Sequence, residues 1–326
     1  MPYQHLTLEE RSMMAPMRTL GWSIRAIAIQ LGRAPSTISR ELRQNSDGTG
    51  AYAGYWADRD AQRRRRADRQ SCLVSGELAE YVQEKLRWRW SPEQIAHRVR
   101  LDYPHASAMR ISHQTIFTWL AEDHRTGGAW SRYLRHHRRR KCYGSGPRVP
   151  RIRGRVSLTD RPSIVDRRGR VGDWEGDLVV GRGQRGFVAT YVDRRSRFLL
   201  AAKVSRRTAA EVTAVTRNIL QPLPQQVRWT LTVDNGSEWL AFHSLQRTLG
   251  LQVYVAAPYA AWERGTNENT NGLLRDYFPK ETDFSMITAH QLASVVKELN
   301  KRPRKCLAYR TPAEVFARAP GVALRI

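Results

Sequence analysis

Up to residue 141, apolar residues recur at helical spacing and few β-branched runs interrupt them. Thr7 and Glu10 form a T-x-x-E capping box that opens a first helix, which Pro16 is expected to kink or shorten and Gly21 to end. Ser23 caps a second helix, with Ile24, Ile27, Ala28 and Leu31 at i, i+3, i+4 and i+7, and Gly32 closes it. Pro35 suits the first turn of a third helix. There Ile38 and Leu42 make a narrow apolar stripe, leaving Arg33, Ser36, Thr37, Arg40 and Arg43 outward. A short helix, a glycine-containing turn and a second helix with a polar, basic face is the helix-turn-helix arrangement, whose reading helix here runs from Pro35 to about Gln44. A looser copy follows. Ser91 and Gln94 form a second capping box with Pro92 in the first turn, and a later helix built on Ile116 and Leu120 presents His113, Gln114 and Thr118. The stretch YPHASAMRI between them is long for a turn, so a plain helical bundle fits this copy equally well.

Beyond residue 170 the period changes. DLVVG, GFVATYVD, RFLLAAKV, WTLTVD and LQVYVAA are short β-rich runs bounded by Gly, Pro or charge. Helical segments follow from Thr208 to Leu220, Ser237 to Leu249, Asn267 to Tyr277 and Thr288 to Asn300. Three strands, helix, strand, helix, strand, helices predicts a mixed five-stranded sheet covered by helices on its faces. Between the halves, residues 142–170 combine Gly, Pro, Ser and Arg without periodicity, as a linker does. The expected organisation is multidomain and begins all-α. Residues 1–60 form a helix-turn-helix domain, 61–141 a second helical DNA-binding region, 142–170 a basic linker and 171–326 an α/β domain.

Charge adds the partner. Lys and Arg total 55 against 30 Asp and Glu, a net +25 that points to a polyanion, with nucleic acid ahead of an anionic membrane surface. Most of the excess lies in the first half, and the runs RDAQRRRRADRQ and RYLRHHRRRK flank the second helical copy, where they would supply sequence-independent phosphate affinity. No stretch is apolar enough to span a membrane and the start lacks a signal peptide, so a cytoplasmic, nucleoid-associated protein is expected. The three cysteines are scattered and imply neither a disulfide framework nor a zinc finger.

In so basic a chain, carboxylates on apolar strands are informative, because burying one is costly unless it is paired, hydrogen-bonded or bound to a metal. Asp177 interrupts WEGDLVVG and Asp234 ends WTLTVD. Glu268 lies in GTNENTNG, with Asn271 and Arg275 at i+3 and i+7 on the same helix face. Three carboxylates without His or Cys neighbours suit hard cations such as Mg²⁺ or Mn²⁺, and two such ions serve phosphoryl transfer. Equally, Asp234 before Asn235-Gly236 fits a turn residue and Glu268 a helix-dipole partner.

Asp177, Asp234 and Glu268, with 33 residues between the last two, resemble the DDE triad of the retroviral-integrase-like transposases. GDWEGDLVVG, LTVDNGSEW, WERGTNENTNGLLRDYFPK and LNKRPRKCLAYRTPAEVF resemble, in order, blocks of the insertion-sequence-30 family of bacterial transposases. LTLEERSMM and GWSIRAIAIQLGRAPSTISREL are similar to that family's N-terminal helix-turn-helix, so the likeness covers nearly the whole chain. It departs at Ala261 and Glu263, where the family more often has Pro and Gln.

The resemblance implies an RNase-H-like catalytic fold, with Asp177 on the first strand, Asp234 after the fourth and Glu268 on a helix. It further implies two Mg²⁺ (or Mn²⁺) ions per active site, Asp177 bridging them while Asp234 and Glu268 hold one each. Water and then a freed 3′-hydroxyl are the nucleophiles, with no covalent protein–DNA intermediate. The implied partners are double-stranded DNA, both the element's terminal inverted repeats and the target, and further copies of the chain, since two ends must be held together. Asn267, Asn271 and Arg275 are expected to position the scissile phosphate, and Arg302, Arg304 and Lys305 to form a basic exit segment for flanking DNA. Of Trp174, Trp239 and Trp262, which flank the carboxylates, Trp239 is expected in the core. Two rival readings are a helix-turn-helix regulator with an inactive RNase-H-like domain and an RNase-H-like nuclease without strand transfer.

Overall fold

Residues 5–47, 50–71, 76–135, 156, 158–256 and 265–322 are described in a computed structural model of the chain, with the side chains of 66–71 left aside. Much of the expected linker, the basic run from His136, Cys72, Cys142 and Trp262 lie outside them. Two compact units result, one of Met1–Gln83 with Gln114–Gly127 and one of Glu84–His113 with Gly128–Ile326. This division cuts across residues 61–141.

In the first unit, α1 (Leu8–Thr19), α2 (Ile24–Gln30) and α3 (Pro35–Asn45) enclose Leu6, Met14, Ile27, Ala28, Ile38 and Leu42. The Thr7–Glu10 capping box forms as expected. Pro16 does not shorten α1. The helix has only three residues left to run, and the carbonyl that loses its partner, on Ser12, is at an exposed position where water serves. The fourth helix, α4 (Gly54–Ser71), crosses α1 so closely that a Cβ on Gly54 would stand 2.4 Å from the carbonyl oxygen of Arg11, which is why glycine occupies that position.

Arg11 ties these helices together. Its guanidinium, 4% exposed, donates to Glu41 on α3 at 2.8 and 3.2 Å, to Asp58 on α4 at 2.7 Å and to the Leu6 carbonyl at 2.7 Å. The phenol of Tyr52 also donates to Glu41, and the burial and negative charge around it push its ionisation up. This unit also holds most of α7 (His113–Arg125), on which His113, Gln114 and Thr118 are exposed.

In the second unit a short helix, α8 (Ser163–Asp166), precedes a sheet of β1 (Asp173–Val180), β2 (Phe187–Asp193), β3 (Leu199–Val204), β4 (Thr230–Val233) and β5 (Gln252–Val255). Its spatial order is β3-β2-β1-β4-β5. The first three strands are antiparallel, and β4 and β5 run parallel to β1, so the sheet is mixed as expected. Alternation sorts the side chains. Trp174, Phe187, Ala189, Tyr191, Leu231 and Val233 face a layer made by α9 (Ala209–Leu220) and α10 (Phe242–Leu249). Val179, Val188, Val192 and Leu199 face α11 (Gly265–Tyr277) and α12 (Ala289–Lys301). Trp174 and Trp239 are both core residues. The segment expected to be helical from Ser237 to Leu249 instead begins as a single 3₁₀ turn, Ser237–Trp239, before α10.

A helix from the middle of the chain, α6 (Pro92–Asp102), docks on the last part of this unit, which ends in α13 (Pro312–Ala317). Arg98 forms a bidentate pair with Glu314 at 2.7 and 2.6 Å, Glu93 accepts from Lys305 and Tyr309, and His97 stacks on Tyr309. Arg98 holds the carboxyl of Glu314 down at about 2. The expected exit segment is therefore corrected. Arg302 and Arg304 are buried, because Arg302 donates to Gln94 and Arg304 to the carbonyl of Leu299, while Lys305 is paired with Glu93.

Replacing Arg11 by Ala removes the buried cation shared by Glu41 and Asp58 and leaves them with neutral donors, Asn45 and Tyr52 on the one and Gln62 on the other. Arg11→Ala is expected to lower the stability of the first unit by about 3–5 kcal/mol, read as a fall in its melting temperature.

Candidate active site

The motif Trp174-Glu175-Gly176-Asp177 is one strand with two faces. Trp174 enters the α9–α10 layer and donates its indole N–H to the carbonyl of Val227 at 2.9 Å. A Cβ on Gly176 would meet Leu231, Val233 and Trp239 at 3.2–3.3 Å, so glycine leaves room there for the large ring. Glu175 and Asp177 project from the opposite face, toward α11.

Glu175 is 1% exposed. Its Oε1 accepts from Arg194 Nη1 at 2.7 Å and its Oε2 from the backbone N–H of Asn267 at 2.9 Å, one of the open donors in the first turn of α11. Arg194 itself lies just past β2 and donates its Nε to the Val165 carbonyl. Burial pulls the pKa of this guanidinium down, and the Glu175 carboxylate opposes that. Nearby, Arg197 donates to the hydroxyl of Thr266 at 2.6 Å. Through these contacts the start of α11 is fixed on β1.

Asp177 is half-buried, and its Oδ2 accepts from Asn271 Nδ2 at 2.8 Å. Asn271 Oδ1 in turn accepts from the hydroxyl of Thr190, the residue paired with Asp177 across β2, at 3.1 Å. The carboxylate is thus oriented from behind by an amide and a hydroxyl. β1 and β4 pair in parallel at Asp173–Thr230, Trp174–Leu231 and Glu175–Thr232. Two residues further along each chain stand Asp177 and Asp234, on the same side of the sheet. Asp234 caps its own turn, accepting from the N–H of Gly236 at 3.0 Å. A Cβ on Gly236 would lie 2.4 Å from the carboxylate of Glu238, which is buried and paired with Arg207, so close approach demands this glycine.

Glu268 is exposed in the first turn of α11, one residue after Asn267 and one turn before Asn271. Among the described residues no three His, Cys, Asp or Glu side chains are already gathered as one metal site. Three expectations need correction. Asn267 is 1% exposed, packed against Glu175 and Thr190, and has no access to a DNA phosphate. Arg275 turns to the carbonyls of Val180 and Pro279 and lies over the Phe284 ring, closing the end of α11 on β1. In the first unit Arg33 forms a bidentate pair with Glu10 at 2.7 and 3.1 Å, joining the turn to α1 instead of facing outward. Ser36, Arg40 and Arg43 are exposed on α3 and Thr37 is half-exposed. Glu175, Thr190 and Arg194 were not singled out from sequence, although Glu175 stands two residues before Asp177 and so shares its face.

A helix-turn-helix unit and a mixed sheet in the order β3-β2-β1-β4-β5, with Asp177 on β1 and Asp234 just past the parallel β4, are the architecture of a DNA-binding protein with an integrase-like α/β domain. Residues 2–45 match the family described as helix-turn-helix domain and residues 169–261 the family described as integrase core domain. The chain is 36% identical over 316 residues to the transposase for insertion sequence element IS4351 of Bacteroides fragilis, covering 96% of this chain and 95% of that one. It is 38% identical over 330 residues to the transposase InsI for insertion sequence element IS30A of Escherichia coli (strain K12), covering 98% and 85%. Among solved structures, the catalytic core domain of BIV integrase aligns with 44% of this chain and 93% of its own at 22% identity and a TM-score of 0.37. The chain belongs to the IS30 family of insertion-sequence transposases.

The turn that carries Arg194 has its own titration. Asp193 is fully buried and accepts from the N–H of Gly172, the N–H of Ser196 and the Ser196 hydroxyl, yet burial outweighs these and pushes its carboxyl up to about 6. A raised folded-state pKa favours the protonated form. Its contribution, on the order of 3 kcal/mol, is complete below about pH 4 and lost as pH rises through about 6. Denaturant melts of native protein and Asp193→Asn between pH 4 and 7 are expected to show this decline in the native chain and its absence in the variant.

Proposed function

We propose that this transposase cuts and joins DNA at Asp177, Asp234 and Glu268, using two divalent cations, Mg²⁺ or Mn²⁺. The observation that supports the reading is the parallel pairing of β1 and β4 through Glu175–Thr232, two residues before Asp177 and Asp234, together with the bond from Asn271, one turn from Glu268, to Asp177. The donor set suits such ions, because it consists of carboxylate oxygens oriented by amide and hydroxyl partners. Asp177, Asp234 and Glu268 would hold the ions. When bound, the ions supply the Lewis acidity and the charge neutralisation that phosphoryl transfer needs.

The chain's own residues bind and orient. Asn271 and Thr190 keep the Asp177 carboxylate in one orientation, and the N–H of Gly236 does the same for Asp234. In the first step water attacks the phosphodiester at the element end, and the bond from phosphorus to the element's 3′-oxygen breaks, leaving a 3′-hydroxyl on the element and a 5′-phosphate on the flanking strand. In the second, that hydroxyl attacks a target phosphodiester, forming a new ester as the target's own 3′-oxygen leaves. Ser36, Thr37, Arg40 and Arg43 on α3 meet the terminal inverted repeat, with His113, Gln114 and Thr118 on α7 as a second contact. Two ends are held together by a dimer or larger homo-oligomer working on the chromosome in the cytoplasm.

The test is cleavage of a labelled duplex carrying an element end, with Mg²⁺ or Mn²⁺ against EDTA. Asp234→Ala is expected to cost about a thousand-fold or more in rate, several kcal/mol of transition-state stabilisation, with DNA binding retained. Unchanged cleavage would overturn the reading, and specific binding without any cut by the native chain would favour a regulator. Asn271→Ala leaves Asp177 unoriented and is expected to slow cleavage by about 10–100-fold, as the loss of an outer-shell partner does. An Asn271→Ala rate equal to that of the native chain would remove Asn271 from the site.

A further inference from the structure

One stripe of α11 connects the acidic site to a separate basic cleft. Glu268, Gly272 and Asp276 are four residues apart and lie in line along the helix. Arg135 lies against this stripe at its middle: a Cβ on Gly272 would come to 3.4 Å from Arg135 Nη2. At the far end, a cleft of about 240 Å³ is lined by Arg89, Arg132, Tyr133, Arg135, Asp276 and Arg302. Four guanidiniums face one carboxylate there, and that carboxylate is already paired with Arg135 at 2.9 Å. Arg302 is 4% exposed, and among the described residues neither it nor Arg132 forms an ion pair. Burial lowers the pKa of Arg302; Tyr277 and Asp276 oppose this, and the charges of Arg135 and Arg89 add to it.

Arg89 has a second peculiarity. It follows α5 (Glu77–Arg87) at φ 58°, the left-handed position that closes a helix and normally selects glycine, with its N–H on Leu86 and that of Trp90 on Lys85. An arginine kept where glycine is more comfortable holds its side chain in the cleft, donating to the carbonyl of Asp276 at 2.6 Å and lying over the Tyr277 ring.

We propose that this arginine cleft holds a backbone phosphate of the DNA strand whose neighbouring phosphodiester is cut beside Glu268. The inference rests on the reading of Glu268 given above. Along the helix axis Asp276 is about 12 Å from Glu268, a distance that a strand rising 3.4 Å per nucleotide covers in about three to four nucleotides. A phosphate supplies the anion that the exposed Arg132 and Arg89 lack, with the buried Arg302 adding positive charge behind them, and guanidinium forks suit it.

The test uses the full chain and a duplex carrying an element end. Arg89→Gly relieves the left-handed backbone and keeps the helix cap, so folding is preserved, and Arg132→Ala is the second variant. Each is expected to weaken binding about tenfold, one charge-assisted hydrogen bond. Each should also reduce the slope of log affinity against log salt by about 0.9, and in Arg132→Ala the cleavage rate at saturating DNA should stay within about twofold of native. A neutral methylphosphonate three or four nucleotides from the cut should weaken native binding similarly and Arg132→Ala no further. Unchanged affinity and salt slope in both variants would overturn the proposal, as would a rate loss at saturating DNA with affinity intact in Arg132→Ala. Binding is also measured in the Asp234→Ala chain. If that chain still cuts, the carboxylate reading fails by itself, while the salt slopes continue to report on the cleft.

Discussion

The catalytic unit depends on the burial of one carboxylate. Glu175 sits in the middle of the fold, where an isolated charge is costly, and it is tolerable there because Arg194 and the N–H of Asn267 take one oxygen each. These two partners come from different parts of the chain, one from the turn after β2 and the other from the first turn of α11. A single side chain therefore fixes β1, the β2–β3 connection and α11 against one another. Everything else at the site follows from that register. With Asn267 pinned, Glu268 comes next in the chain, Asn271 arrives one turn later over Asp177, and Gly272 and Asp276 continue the same stripe. A shorter side chain at 175 would keep the charge and lose the register.

Charge in this protein is divided between inside and outside, and net charge alone does not tell the two apart. Arg11, Arg33, Arg98, Arg194 and Arg275 each hold two elements together, and Arg302 and Arg304 are buried where the chain passes from α12 toward α13. Arginine suits this use, since its planar fork satisfies a carboxylate or several carbonyls at fixed angles and it stays ionised even when burial lowers its pKa. Among the described residues, then, several of the cations counted in +25 are committed to the fold and not to DNA. Ser36, Thr37, Arg40 and Arg43 remain accessible on α3, and Arg89, Arg132 and Arg135 are exposed on the second unit.

Local patterns were legible in the sequence. The capping boxes at Thr7 and Ser91 form, the five β-rich runs become the five strands, and alternation along Trp174-Glu175-Gly176-Asp177 is obeyed residue by residue. What could not be read was the identity of long-range partners. Arg33, in the turn, and Arg40, on α3, look alike as basic residues of the reading unit, yet Glu10 captures the first and leaves the second exposed, because only the folded turn brings Glu10 and Arg33 together. Asn267 and Asn271 belong to one motif and share a helix. The first is buried by Glu175, which is far away in sequence, and the second reaches Asp177. Glu175 itself was hidden beside a more conspicuous aspartate, since both are acidic residues on the same strand face and only the position of Arg194 distinguishes a buried anchor from a candidate ligand. Ser237 to Leu249 was read as one helix because its apolar spacing is continuous; the bonds of Glu238 to Arg207 belong to the 3₁₀ turn that precedes α10.

The helix that carries Glu268 is held at both ends by groups whose charge suits its dipole. At its amino end the anionic Glu175 accepts from a first-turn N–H, and at its carboxyl end the cationic Arg89 donates to the carbonyl of Asp276. The second contact comes from residues 84–113, a stretch that precedes the sheet in the chain but is part of the same compact unit. That unit is also closed by α6, through Arg98 on Glu314 and Glu93 on Lys305 and Tyr309. A catalytic fragment beginning at β1 would retain the sheet and its carboxylates but lose the partner at the far end of α11, the guanidinium of Arg89 in the cleft and the ion pair of Glu314. Residues 84–113 of the helical middle are thus built into the same compact unit as the sheet, where they brace the helix that bears Glu268.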